Sequence, residues 1–316
     1  MERILVTGAY GQIGSELIPA LRDRFGVDNV IAAGFGNPPP AQFLDGPNTF
    51  VDVTDYGQVD AAIREHSVDT VYHLGSILSA LAEQDRKQAY AVNFTGVHHV
   101  LEAALANDVR QVIVPSSIAA FGPETPAQNT PNDTVQKPNT IYGISKVFTE
   151  LMGNYYTTKL GLDVRGVRLP GIISWKVEPT AGTTDYAVAI FYGAIREGRY
   201  ASFLGPDTRL PMMYIPDAVS SLIDVATADF DRIKHHVDYN VSAMSFTPAE
   251  LATAIERRIP GFEMRYDVDP LRQSIADSWP DELDDTVARH EWDWSPDYDL
   301  DTMVDDMLAN LRRKLA

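Results

Sequence analysis

Met1-Glu2-Arg3-Ile4-Leu5-Val6-Thr7-Gly8-Ala9-Tyr10-Gly11-Gln12-Ile13-Gly14 is the stretch that decides the fold class. Ile4, Leu5 and Val6 form a short apolar run of the kind that makes a buried strand. Glycines follow at 8, 11 and 14, and a helical pattern runs from Gln12 to Phe25. A strand that turns through glycines into a helix builds a cradle for a pyrophosphate. The glycines allow a sharp turn and close backbone approach, and the positive end of the helix faces the charge. A tight strand-to-helix turn without a ligand gives the same pattern, so residues further along must choose.

Outward from this unit, short apolar runs alternate with longer amphipathic ones. Strands are expected at Arg3–Thr7, Asn29–Ala33, Thr49–Val51, Thr70–Leu74, Gln111–Pro115 and Val164–Leu169, with helices near Tyr56–His66, Glu83–Ala106 and Thr140–Leu160. Such alternation predicts an α/β fold, a doubly wound parallel sheet of the Rossmann type. Beyond residue 170 the rhythm loosens, which predicts a smaller α/β substrate lobe over residues 171–316 beside a dinucleotide-binding domain over 1–170. The two would share one cleft, with excursions of the chain between them. Helices are expected there near Thr183–Glu197, Asp217–Ala228, Pro248–Arg258 and Leu300–Leu315, and Trp175–Gly182 reads as a loop with a possible hinge at Gly182.

Composition narrows the classes. The 316 residues include 26 basic and 44 acidic side chains, a net charge of −18, and no cysteine. That acidity disfavours nucleic acid and anionic membrane surfaces as partners. No apolar run reaches the ~18–20 residues of a membrane span, and no basic-then-apolar leader stands at Met1. A cysteine-free chain suits a reducing, cytoplasmic compartment. The acidic run Asp281–Asp285 reads as a solvated face opening a helix.

Two further clusters carry chemistry. Tyr142 and Lys146, four residues apart, lie on one helical face. An ammonium near a phenol favours the phenolate, so the pair predicts a general base with a lowered pKa, against the plainer reading of an exposed helix face. Val114-Pro115-Ser116-Ser117 follows a strand, and Ser117 there could bond a reacting hydroxyl or cap a turn. Cradle, strand-end Ser117 and Tyr142-Gly143-Ile144-Ser145-Lys146, in that order, resemble the extended short-chain dehydrogenase/reductase superfamily over essentially the whole chain.

Runs in the second half resemble one branch of it, the short-chain type of L-threonine 3-dehydrogenase. They are Arg168–Ser174, Gly182–Ala187, Leu210–Asp217, Tyr239–Phe246 and Arg272–Pro280. This resemblance implies metal-free, NAD-dependent oxidation of L-threonine to 2-amino-3-ketobutyrate, in threonine catabolism, by a homodimer built through helices near Glu83–Ala106 and Thr140–Leu160. It implies Tyr142 as base, Lys146 on the nicotinamide ribose and Ser117 orienting the reacting oxygen. Ser79, Thr183, Thr184 and Trp279 would line the amino-acid pocket with Ser117 and Tyr142. For NAD, Gly8, Gly11, Gln12, Ile13 and Gly14 would surround the pyrophosphate, Asp52 and Val53 would meet the adenine, Leu74 and Gly75 would flank the adenosine, and Asn93 would support the central helix and an active-site water. The alternatives are a nucleotide-sugar epimerase or dehydratase, and a non-catalytic dinucleotide sensor.

One position departs from the pattern. Gly34 stands at the end of the second strand, where an acid ordinarily bonds the adenosine ribose and disfavours NADP. NAD is still expected, because no basic residue lies in Gly34–Asn48. An acid restored at 34 is expected to tighten it. His98-His99 and His235-His236 are adjacent pairs with poor metal-ligand spacing, so no metal site is expected.

Overall fold

A computed structural model describes residues 1–179 and 182–316 of the chain. Its centre is a six-stranded parallel sheet. From edge to edge the strands are Asn48–Phe50, Val30–Gly34, Ile4–Thr7, Thr70–His73, Gln111–Ile113 and Asp163–Arg165. The chain moves outward in one direction from the first strand, then in the other, which leaves a crevice at the carboxyl ends of Ile4–Thr7 and Thr70–His73.

Successive strand side chains face opposite sides, and both sides are buried. Ile4, Val6, Val30, Ala32 and Tyr72 pack with Leu17, Ile18 and Leu21 of the helix Gly14–Phe25. Leu5, Ile31, Val71 and Val112 face the other way, onto Val59 and Ile63 of Tyr56–Glu65 and Val100 and Leu101 of Val97–Ala106. Each fully buried aliphatic side chain contributes roughly 1.5–3 kcal/mol. This two-sided burial explains why the strands are almost unbroken apolar runs.

Val164–Leu169 is two strands, not the continuous one expected. Asp163–Arg165 completes the main sheet, whereas Val167–Leu169 pairs with Ser116–Ser117 and Tyr239–Asn240 in a second, three-stranded sheet. The break falls at Gly166, whose backbone runs so close to the Val114 carbonyl oxygen that a Cβ there would collide with it. It lifts Ser116 and Ser117 out of the main sheet toward the crevice.

The second half returns to the sheet. Arg165 donates to the carbonyls of Val225 and Ala228 at 2.8 and 2.7 Å, and Gln111 to that of Ala226 at 3.0 Å, so the helix Ile215–Thr227 packs on the face of the sheet that carries Gly14–Phe25. The remainder carries Gly171–Ile173, Leu210–Tyr214 and Met244–Phe246 as a third sheet, which sits against the crevice. The acidic run is stitched rather than solvated. Asp281 and Glu282 donate backbone N–H groups to Ala127, Asp284 donates to Thr130, and Asp285 is buried in an ion pair with Arg289 at 2.7 Å. The helix it opens, Thr286–Trp292, is present.

Candidate active site

One cleft gathers most of the candidate residues. Its walls include Gly8, Gly11, Gln12, Ile13, Gly14, Leu74, Ser79, Ser117, Tyr142, Lys146, Thr183, Thr184 and Trp279, and its volume with the open mouth is about 1050 Å³. Lys146 is the one lysine or arginine on those walls among the described residues. Asp52 and Val53 lie outside it, beyond the third strand, where Asp52 accepts from the amide and hydroxyl of Thr54 and Val53 is buried. Gly75 and Asn93 line a smaller chamber behind Lys146.

The cradle is tight because it admits no side chains. Gly8 has φ +69°, and a Cβ on it would stand 2.6 Å from the Gly75 nitrogen; a Cβ on Gly14 would collide with the Ala9 carbonyl. The amino end of Gly14–Phe25 therefore meets the cleft as bare backbone, the surface a pyrophosphate fits. Gln12 also donates to the Ile172 carbonyl at 3.3 Å, tying the cradle to the third sheet.

The helix Ile141–Tyr155 starts where Thr140 caps it, its hydroxyl accepting from Gly143 N–H at 3.0 Å. The cap fixes Tyr142 in the first turn and Lys146 one turn later, both facing the crevice. The Lys146 ammonium lies 5.3 Å from the Tyr142 ring centroid and donates to the Pro115 carbonyl at 2.9 Å. Ser117 accepts from Ala119 N–H at 3.2 Å, so it caps a single turn and still faces the cleft.

The electrostatics differ from the expectation. Burial pushes the Tyr142 phenol up to about 12, and the facing Ser117 hydroxyl only partly opposes it. Burial also brings Lys146 down to about 8, against the pull of Glu150. Loss of hydration is the larger influence on both groups.

The Thr183 hydroxyl lies 3.4 Å from that of Ser79, and both residues wall the cleft together with Thr184. Asn93 stands in a π-helical stretch, Ala91–Gly96, inside the long helix. It accepts from Ile77 N–H at 2.8 Å and Ser76 at 3.2 Å and donates to the Ile77 carbonyl at 2.9 Å. Part of the Trp175–Gly182 loop, residues 180 and 181, lies outside the described residues.

Sequence reasoning overlooked two groups. Behind Ser117, Glu150 and Arg168 form a buried bidentate pair, both contacts 2.9 Å, and Ser116 donates to Glu150 at 2.5 Å. The signal was Glu150 one helical turn beyond Lys146. His73, read as isolated, faces the Lys146 chamber. Its Nδ1 lies 2.7 Å from the Thr7 hydroxyl, and burial, then Lys146, pushes its pKa down to about 3.

Native His73 thus stays neutral while the unfolded chain takes up a proton below pH ~6.5. Stability from this group is complete above that pH and is lost as pH falls from ~6.5 toward 3. His73→Asn is expected to flatten the acid decline of the melting temperature across that window, even if the variant is less stable at pH 7. A slope equal to wild type would mean that His73 does not carry it.

The model of the "NAD dependent epimerase/dehydratase family" matches residues 4–242. The chain is 46% identical to the mitochondrial L-threonine 3-dehydrogenase of Bos taurus, over 97% of this chain and 82% of that protein. It superposes on an L-threonine dehydrogenase structure from Clostridium difficile with a TM-score of 0.97, at 46% identity, covering 99% and 98% of the two chains. A structure described as monomeric L-threonine 3-dehydrogenase, from a metagenome, superposes with a TM-score of 0.95 at 40% identity, covering 99% and 100%.

Proposed function

Because this chain belongs to the NAD dependent epimerase/dehydratase family, we propose that it is an oxidoreductase that converts L-threonine to 2-amino-3-ketobutyrate with NAD. The observation that carries the reading is the convergence of a side-chain-free cradle, Ser117, Tyr142 and Lys146 on one cleft that also holds Ser79, Thr183, Thr184 and Trp279. Its similarity to L-threonine 3-dehydrogenases over nearly its whole length supports the same substrate.

Gly8, Gly11, Gln12, Ile13 and Gly14 would hold the pyrophosphate, and Lys146 the nicotinamide ribose. Asp52, Val53, Leu74 and Gly75 would meet the adenosine, while Asn93 keeps the π-helical turn in place. Bound NAD supplies the hydride acceptor and, in its oxidised form, a positive ring. Tyr142 takes the proton of the β-hydroxyl as the hydride leaves the same carbon, and Ser117 holds the reacting oxygen. Thr183 and Thr184, before the amino end of Tyr186–Glu197, would meet the substrate carboxylate, and Trp279 would wall the methyl side. No metal is needed for this transfer. With Lys146 given to the ribose, the described cleft walls hold no further lysine or arginine for a sugar diphosphate, whereas the hydroxyls of Ser79, Thr183 and Thr184 suit a small polar substrate.

The expected result is NADH formation from L-threonine and NAD, read at the nicotinamide absorbance. No NADH across a broad pH range would reject the substrate.

We read the assembly as a homodimer. Tyr90, Leu151 and Tyr155 are 58%, 64% and 51% exposed on the two helices named for that contact, and Tyr90 stacks on Phe94 at 4.9 Å. Sedimentation at assay concentration decides between a dimer and the monomer described for the metagenomic relative. Among the described residues no helix is long and apolar enough to cross a membrane. A cytoplasmic location rests on the cysteine-free composition, and cell fractionation tests it.

A further inference from the structure

The end of the second strand is where an acid of this fold reads the adenosine ribose, and here it is Gly34. The position is not simply vacated. A Cβ on Gly34 would stand inside the Tyr10 ring, overlapping its Cε2, Cδ2 and Cζ atoms. Tyr10 belongs to the glycine cradle itself and is held there by a stack. Its ring lies over Phe43 at 5.9 Å and 25°, and the Arg22 guanidinium lies on Phe43 at 5.9 Å.

That guanidinium is buried, with both terminal nitrogens engaged and its Nε enclosed without a partner among the described residues. It donates to Asp45 at 2.6 Å and to the carbonyls of Pro47, Phe43 and Val30 at 3.1, 3.2 and 3.4 Å. The subsite therefore offers an aromatic ring where the fold ordinarily offers a carboxylate, with no disengaged cation from its own layer to receive a phosphate.

We propose that Tyr10 sets the cofactor choice of this chain: its ring fills the seat beside Gly34 and excludes the 2′-phosphate of NADP by volume, in place of the charge an acid would use. The inference rests on the dinucleotide reading of the cleft. It makes Tyr10 and Gly34 a matched pair, since the ring can lie there only because residue 34 has no side chain. An acid introduced at 34 alone must expel the ring and break its stack on Phe43, so it does not tighten NAD, contrary to the expectation from sequence.

Calorimetric titration of the purified protein with NADH and NADPH, without substrate, tests this. Wild type is expected to bind NADH more tightly than NADPH. Tyr10→Ser should reduce that preference about tenfold or more, the scale of a volume-based discrimination. Tyr10→Phe, which keeps the ring, should retain it. Gly34→Asp alone should melt earlier and bind NADH no more tightly than wild type. In the Tyr10→Ser background, Gly34→Asp should tighten NADH about tenfold and restore the preference. An unchanged preference in folded Tyr10→Ser, a lost one in Tyr10→Phe, or tighter NADH in Gly34→Asp alone would overturn the inference. Binding of neither dinucleotide by wild type would overturn the reading of the cleft beneath it.

Discussion

Tyr142→Phe is expected to lower turnover roughly 10²–10⁴-fold while dinucleotide binding persists. The substitution keeps the ring that fills this part of the cleft and removes only the phenolic hydroxyl, so under the proposed mechanism the loss falls on kcat. Tyr142 begins at a disadvantage. With burial holding the phenol at about 12, about one site in ~10⁴ would be ionised at pH 8. Lys146, an ammonium only below about 8, offsets little of that in the free protein. Bound oxidised nicotinamide would add a positive charge that favours the phenolate. The ascending limb of the pH profile should therefore lie lower for kcat, which reports the complex, than for kcat/KM of NAD, which reports the free enzyme. Tyr142→Phe should abolish that limb. Stopped-flow NADH formation and NADH titration separate the two effects. A loss of less than about tenfold, with the limb intact, would remove Tyr142 from the chemistry.

The acidity of Tyr142 lies beyond what residue spacing reports. Spacing alone placed Tyr142 and Lys146 on one helical face, and Ile4-Leu5-Val6 before three glycines placed the cradle, because these signals are local. Whether the phenol gains or loses acidity depends on how much water the folded cleft excludes. No spacing reports that, and here burial won. His73 fell to the same limit. It meets Thr7 because Ile4–Thr7 and Thr70–His73 pair in parallel with those two residues in register, a contact between positions 66 residues apart. The close approach of Gly166 to the Val114 carbonyl joins positions far apart in the chain, so the break there has no local signal. In Asp281–Asp285 the count of charges suggested a solvated face, but backbone bonds to Ala127 and Thr130 from a distant loop tied it down. Gly34 is a visible departure in the sequence, but that the Tyr10 ring occupies the space beside it follows only from the folded turn.

Arg168→Met is expected to cost roughly 3–5 kcal/mol of stability, a large share of the ~5–15 kcal/mol that holds an ordinary domain. Arg168 and Glu150 side chains are 3% and 2% exposed. Among the described residues, removing the guanidinium leaves the carboxylate with Ser116 and Gln136 as donors, at 2.5 and 2.6 Å, and with the Lys146 charge, which makes no hydrogen bond to it, as its remaining positive neighbour. It also frees the Asn132 carbonyl, which Arg168 reaches at 2.7 Å. Glu150→Met added to Arg168→Met takes away the stranded charge, so the double variant should regain about half of the loss in urea unfolding, as apolar replacement of buried pairs usually allows. Turnover should not return with it. Ser116 would lose the acceptor that fixes the strand carrying Ser117, and Lys146 would lose the neighbouring charge that helps it stay protonated. Misplacing a group by a fraction of an ångström is enough for tenfold or more. A double variant as active as wild type would show that the pair serves stability alone, and a single variant as stable as wild type would show that the buried charge finds another partner.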